Sequence, residues 1–196
     1  VTTVAGVISR EAYFDTGLEV LSDRGYGGLK LAEVCNRLGV TTGSFYHYFA
    51  SWSVYTKDLV AHWVQARTVG IIEAVQSEPN PRVRIDRLIN EALALPHGAE
   101  AAIRVWSSID SDVHAVQAAV DQQRFDVLRE SALEILHHEH QARLFAAWGL
   151  YLLVGYEQTL VPRNHDDLTW IAAQLLGALD GGRFSTAPNT TRAVSD

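Results

Sequence analysis

Leu31 to Phe49, LAEVCNRLGVTTGSFYHYF, is the stretch whose reading decides the fold. Leu31, Val34, Cys35 and Leu38 recur at i, i+3, i+4 and i+7, which places one apolar stripe along a helix. Gly39 follows the last residue of that stripe, where a glycine can adopt the left-handed conformation that closes a helix. Thr41 or Thr42 then offers a hydroxyl to cap a second one. At 100° per residue the second helix buries Phe45 and Phe49 and turns Gly43, Ser44 and His47 outward, with Thr42 and Tyr46 flanking them and Thr41 and Tyr48 at the borders. Small polar residues, a glycine that permits close approach and aromatic hydroxyls at the margin suit a helix lying in a DNA major groove. An ordinary helical hairpin with a solvated face has the same spacing.

The residue types shift that balance. GVTTGSFYHYF, preceded by Arg24-Gly25-Tyr26-Gly27-Gly28 and by a helix ending in LEVLSD, resembles the DNA-binding domain of the TetR family of bacterial transcription regulators over about Phe14 to Phe49. The resemblance implies an all-α chain: a three-helix helix-turn-helix domain over 1–50, a larger helical ligand-binding and dimerisation domain over 51–180, and a flexible tail over 181–196. It implies DNA contacts from Lys30, Thr41, Thr42, Gly43, Ser44, Tyr46, His47 and Tyr48. Two residues depart from the family pattern. Lys30 stands where Ser or Thr often opens the second helix, and Trp52 replaces a lysine common after the motif, so one phosphate contact is gained and one lost.

The 196 residues are 47% hydrophobic, enough for a substantial core, and no run approaches the roughly 18 apolar residues of a membrane span. A cytoplasmic protein is expected, without a signal pattern. The single Cys35 cannot form an internal disulfide and falls on an apolar stripe, as a small buried filler. The net charge of −7 argues at first against a nucleic-acid partner. However, Val1–Thr68 holds 6 basic and 6 acidic residues against 10 and 17 in the remainder, so the acidity belongs to the C-terminal part. A neutral reading domain gives modest electrostatic attraction, and affinity then calls for two copies acting together.

Further along, Arg10 is placed to reach a neighbouring phosphate from the start of the first helix, and Phe14, Gly17, Leu18 and Leu21 form the stripe that packs on the next two. Ser51 or Ser53 caps a long helix running toward Ile72. Pro81 starts another after the Glu78–Pro81 turn, and Asp110 or Ser111 caps one that extends to about His138. Leu144–Val154 is apolar nearly all round and must be covered on every side. With the final helix, whose stripe is Leu168, Ile171, Ala172, Leu175, Leu176 and Leu179, it supplies a homodimer interface through the last two long helices, as the family does.

Candidate ligand-binding residues are Trp63, Ile103, Trp106, Gln117, Val120, Arg124, Trp148 and Tyr151, aromatic walls with a few polar groups that suit an apolar or aromatic small-molecule effector. Each of these aromatics could equally fill the core. His137, His138 and His140, with Glu134 and Glu139 nearby, form the one cluster reminiscent of a metal site, but a solvated helix end accounts for them as well. No acid, base and nucleophile set or phosphate-binding glycine loop accompanies them, so neither enzyme activity nor a cofactor or metal is expected. The expected function is a ligand-responsive regulator, a repressor that binds a near-palindromic double-stranded DNA operator as a homodimer. A helical small-molecule or metal-binding protein without DNA binding is the alternative.

Overall fold

A computed structural model describes residues 8–187, and every regular element among them is helical. The expected all-α fold is what the chain adopts. α1 (Arg10–Arg24) is capped by the Ser9 hydroxyl, which accepts from the Ala12 N–H (3.2 Å). α2 (Leu31–Leu38) ends at Gly39, whose φ of 67° and ψ of 30° are the left-handed cap foreseen in the sequence. α3 (Thr42–Tyr48) is capped by Thr41 and α4 (Trp52–Val64) by Ser51. α4 does not simply run on toward Ile72. The helix changes winding to a π segment at Gln65–Val69 before continuing as α5 (Gly70–Gln76).

Asn80 accepts from the Arg82 N–H (2.9 Å) and Pro81 opens α6 (Pro81–Leu93). α7 (His97–Ser107) is followed by α8 (Ser111–Leu136), where Asp110 accepts from the N–H groups of Asp112 (3.0 Å) and Val113 (3.1 Å). α9 (Glu139–Gln158) and α10 (His165–Asp180) complete the order.

The chain forms two compact units that do not follow sequence order: 1–66 with 96–117, and 67–95 with 118–196. In the first unit an aromatic core ties α1 and α3 to α4. Tyr13 meets Phe45 and Phe49 edge-on, at 5.7 and 5.6 Å between ring centroids. The buried Tyr55 hydroxyl donates to the Tyr13 carbonyl (2.7 Å), and burial drives its pKa upward. Gly17 makes that approach possible, since a Cβ there would lie 2.2 Å from the Tyr55 oxygen. Trp52 packs on Tyr55 (4.9 Å) and Phe45 (5.9 Å) and so extends this core. Cys35 is buried, and burial raises its thiol pKa, the opposite of what a reactive cysteine needs. α7 also belongs to this unit. Tyr26 stacks on Trp106 (4.9 Å), and the buried Trp63 indole donates to the buried Glu100 carboxylate (2.6 Å).

The second unit is built on Ile85, Leu128, Ala132, Phe145, Ala146, Leu175 and Leu179, contributed by α6, α8, α9 and α10. Arg82 grips Asp180 with two bonds, Nε to Oδ1 (2.7 Å) and Nη2 to Oδ2 (2.8 Å), and holds the Asp180 carboxyl below its ordinary pKa. The stripe of the final helix serves the chain's own core: Leu168, Ala172, Leu175 and Leu179 are all buried within one chain, because the small residues of α9 let α10 pack close. Of the residues expected to face a second molecule there, Ile171 remains exposed, and Trp170, outside that stripe, is exposed beside it. The expected tail begins with structure: Arg183–Thr186 form a short 3-10 turn that buries Phe184 against Phe145 (5.4 Å) and Trp148 (5.8 Å). Residues 188–196 of that tail lie outside the described residues.

Candidate functional site

The face presented by α3 follows from the anchoring of Phe45 and Phe49. With both rings buried, Thr42, Gly43, Tyr46 and His47 are exposed, Tyr46 by 53%, and Ser44 is half-buried. Thr41 is exposed but occupied: its hydroxyl oxygen accepts from the Ser44 N–H (3.2 Å) and lies 3.2 Å from the Ser44 hydroxyl. The Tyr48 hydroxyl donates to the Ile8 carbonyl, and its ring leans on Tyr13 (5.3 Å), so Tyr48 braces the helix from behind. Lys30 is exposed, at the cap position of α2, with no side-chain capping bond. Arg10, expected to reach outward, is paired with Asp58 and lies over the Phe49 ring (5.0 Å) and the Phe14 ring (5.7 Å). Arg37 is likewise engaged, with Glu33 (2.9 Å) and Asp23 (2.8 Å), which raise its pKa.

Among the described residues, nothing packs closely where a side chain at Gly43 would stand. A Cβ there would meet only the Thr41 hydroxyl oxygen, at an ordinary 3.5 Å. Glycine within a helix costs up to about 1 kcal/mol relative to alanine. Gly43 lies on the exposed face that carries Thr42, Tyr46 and His47.

Residues 14–51 match the family model of the bacterial regulatory proteins of the tetR family. The match spans 38 of the chain's 196 residues. That family is one of regulatory proteins, and the matched segment is the helix-turn-helix stretch read from the sequence. The sequence matches no curated protein. Solved structures share the fold along nearly the whole chain. A transcriptional regulator from Rhodococcus sp. Rha1 is 17% identical with a TM-score of 0.69, covering 89% of this chain and 97% of its own. FadR from Bacillus subtilis, solved in complex with stearoyl-CoA, is 15% identical with a TM-score of 0.64, covering 89% and 99%. A regulator from Saccharomonospora viridis, solved in complex with choline, is 12% identical with a TM-score of 0.69, covering 87% and 95%.

The second unit holds a cavity of about 80 Å³. Ile71 and Ile72 of α5, Leu88, Ile89 and Ala92 of α6, Val127 and Leu128 of α8, and Gly149, Leu150 and Leu153 of α9 supply its apolar lining, and Arg67, Thr68, Glu91 and Arg124 its polar lining. A smaller cavity of about 40 Å³ shares Ile89, Ala92, Gly149 and Leu153 with it and continues toward Leu168 and Leu175. Arg124 donates to the Arg67 carbonyl in the π segment (3.4 Å). Thr68 is 1% exposed, and its hydroxyl has no hydrogen-bond partner among the described residues. A buried hydroxyl left in that state costs about 1–3 kcal/mol.

Of the eight residues expected to meet an effector, Arg124 alone lines this cavity. Trp63, Ile103, Trp106 and Gln117 are buried in the first unit. Val120 is buried in the second unit but does not line the cavity. Trp148 is 44% exposed and Tyr151 72% exposed, lining an open apolar groove with Leu144, Ala147 and Phe184. Sequence reasoning missed Thr68, although a signal was there: with Val64 and Ile72 it marks one helix face at spacings of four, and it is the polar member.

Among the described residues no group of three His, Cys, Asp or Glu side chains is placed to hold a metal ion. His137 takes a left-handed φ of 53° at the junction of α8 and α9, and His138 stands at the cap of α9. No helix among the described residues is long and apolar enough to cross a membrane.

Proposed function

We propose that this TetR-family chain is a cytoplasmic, ligand-responsive repressor that binds a near-palindromic operator as a homodimer and is released from it by a small apolar effector. The observation that carries the DNA-binding half is the exposed face of α3, where Thr42, Tyr46 and His47 surround Gly43 and the buried Phe45 and Phe49 fix its orientation. Ser44 and His47 read base edges and Gly43 permits their close approach; Lys30, Thr42 and Tyr46 hold the backbone.

Dimerisation uses the sides of α9 and α10 that one chain leaves bare. Trp148 and Tyr151 on α9, and Trp170 and Ile171 on α10, are large exposed apolar groups, and such patches mark association surfaces. Paired half-sites then lie about 34 Å apart.

The effector enters the second unit. Its cavity carries aliphatic walls without an aromatic side chain, which favours an apolar chain over an aromatic ring. That one regulator of this fold was solved with stearoyl-CoA accords with such a chain, although the likeness is of fold alone. Effector binding weakens operator binding by a coupling of about 1–3 kcal/mol.

The test is a selection of bound sequences from a random DNA library, followed by salt-controlled affinity measurement on the selected site. A palindromic site should emerge, and a Thr42→Ala, Tyr46→Ala, His47→Ala triple variant should lose it. Equal binding by that variant refutes the assignment. Failure to enrich any sequence leaves the helical small-molecule-binding protein without DNA recognition.

A further inference from the structure

The π segment at Gln65–Val69 inserts one wide turn into a helix that is otherwise α-helical from Trp52 to Gln76. Such wide turns are uncommon and recur at functional sites. Thr68 lies inside it and lines the cavity. A helical threonine ordinarily turns its hydroxyl onto the carbonyl three or four residues back. Thr56 does so on Ser53 (3.1 Å) and Thr169 on His165 (2.9 Å). Thr68 does not, and it is buried, so its hydroxyl is held for a partner that enters the cavity. A lone water suits the place poorly, because it needs two to four polar partners and most of the lining is aliphatic.

What that partner carries follows from the charges. Burying a carboxylate requires a cation beside it. The two cations of the lining do not provide one at depth: Arg67 is exposed and Arg124 half-buried, bonded to the Arg67 carbonyl. A hydroxyl such as that of Thr68 both donates to and accepts from a neutral oxygen. Gly149 is shared by the two adjoining cavities, where a Cβ would lie 2.9 Å from the end of Leu128, and the lining on either side is mostly aliphatic, which suits an aliphatic chain.

We propose that Thr68 is the specificity-determining residue of the effector site, hydrogen-bonding a neutral hydroxyl or carbonyl oxygen borne by a slender aliphatic molecule whose chain lies along Ile71, Ile72, Leu88, Ile89 and Leu153. The proposal rests on the cavity of the second unit being where the effector binds.

The full chain, with its Ile, Leu and Val methyl groups labelled, is titrated by NMR with octan-1-ol, with 1-chlorooctane, which has the same length but no hydroxyl, and with octanoate. The wild type should prefer octan-1-ol, with shifts centred on Ile71, Leu88 and Leu153. Thr68→Val should bind octan-1-ol roughly 2- to 13-fold more weakly, the factor one neutral hydrogen bond carries. It should bind 1-chlorooctane as well as the wild type does, and Thr68→Ser should regain part of the preference for the alcohol. Octan-1-ol binding that is unchanged in Thr68→Val overturns the assignment of Thr68 and leaves the cavity as the effector site. Octanoate binding more tightly than octan-1-ol overturns the neutral-oxygen reading. If none of the three shifts the cavity methyls, the effector-site reading falls, and this proposal with it.

Discussion

Thr68→Val should make the ligand-free protein more stable, an unusual expectation for a polar-to-apolar change in a helix that runs close to a binding site. The two side chains have nearly the same shape, and both are β-branched, so side-chain rotamer freedom and helix propensity hardly change. What changes is the hydroxyl, which loses its water on folding and gains no hydrogen bond among the described residues. Leaving such a group buried costs about 1–3 kcal/mol, and valine removes that penalty. Taking the low end, about 1 kcal/mol corresponds to a rise in Tm of roughly 2–4 °C for a chain of this size. The assay is thermal unfolding followed by circular dichroism, with urea unfolding alongside, where the midpoint should rise at unchanged slope. Thr169→Val is the control. Its hydroxyl is exposed and bonded to the His165 carbonyl, so the change should stay within about 0.5 kcal/mol. If Thr68→Val lowers Tm by 2 °C or more while the control is neutral, the hydroxyl has a partner, and the argument from its isolation is wrong.

Gly43→Ala should raise stability by about 0.5–1 kcal/mol in thermal unfolding while weakening operator binding in a gel-shift assay, since the chain has room for the methyl and the DNA does not. Trp170→Glu should convert a dimer to a folded monomer by sedimentation, whereas Leu175→Glu, 1% exposed in the core, should lose several kcal/mol of stability and unfold the chain. A monomeric wild type at micromolar concentration would remove the dimer reading. Asp180→Asn should cost no more than about 1 kcal/mol at pH 7, because the Arg82 pair is partly exposed. Because Arg82 depresses the Asp180 pKa, the pair's stabilisation is present above the ordinary carboxylate value of about 3.9. It disappears as the pH falls through the lower folded value, so wild type and variant should converge in thermal unfolding once the pH is below it.

Local signals carried most of the fold. Gly39, Ser51, Asn80-Pro81 and Asp110 mark helix ends by chemistry confined to three or four residues, and each helix begins or ends where those residues stand. The outward face of α3 was equally legible, because two buried phenylalanines four apart fix its orientation. Periodicity could not say which partner covers an apolar stripe. Leu175 and Trp170 lie on the same helix, yet one meets its own core and the other is bare, a distinction made by α9 and not by spacing. Nor could it show that Trp63 and Trp106 would be taken up by Glu100 and Tyr26 in the first unit, since those partners are far away in the chain. The π segment was invisible for a different reason: one wide turn shifts the helical register by a single residue, and a stripe read at 100° per residue passes over it.

That the first unit is built from 1–66 together with 96–117 bears on how the protein is made. A ribosome adding about 5–20 residues per second needs roughly 3–10 s more to pass from residue 66 to residue 117. During that interval Trp63 waits for Glu100 and Tyr26 for Trp106, while the stretch 67–95 has emerged with Ile71, Ile72, Leu88 and Ile89 uncovered. The nascent DNA-reading unit is thus incomplete at the stage when a greasy, unpaired segment hangs beside the tunnel exit, and this is the window in which a chaperone has most to hold. A gene fragment cut after residue 95 would freeze the chain in that state.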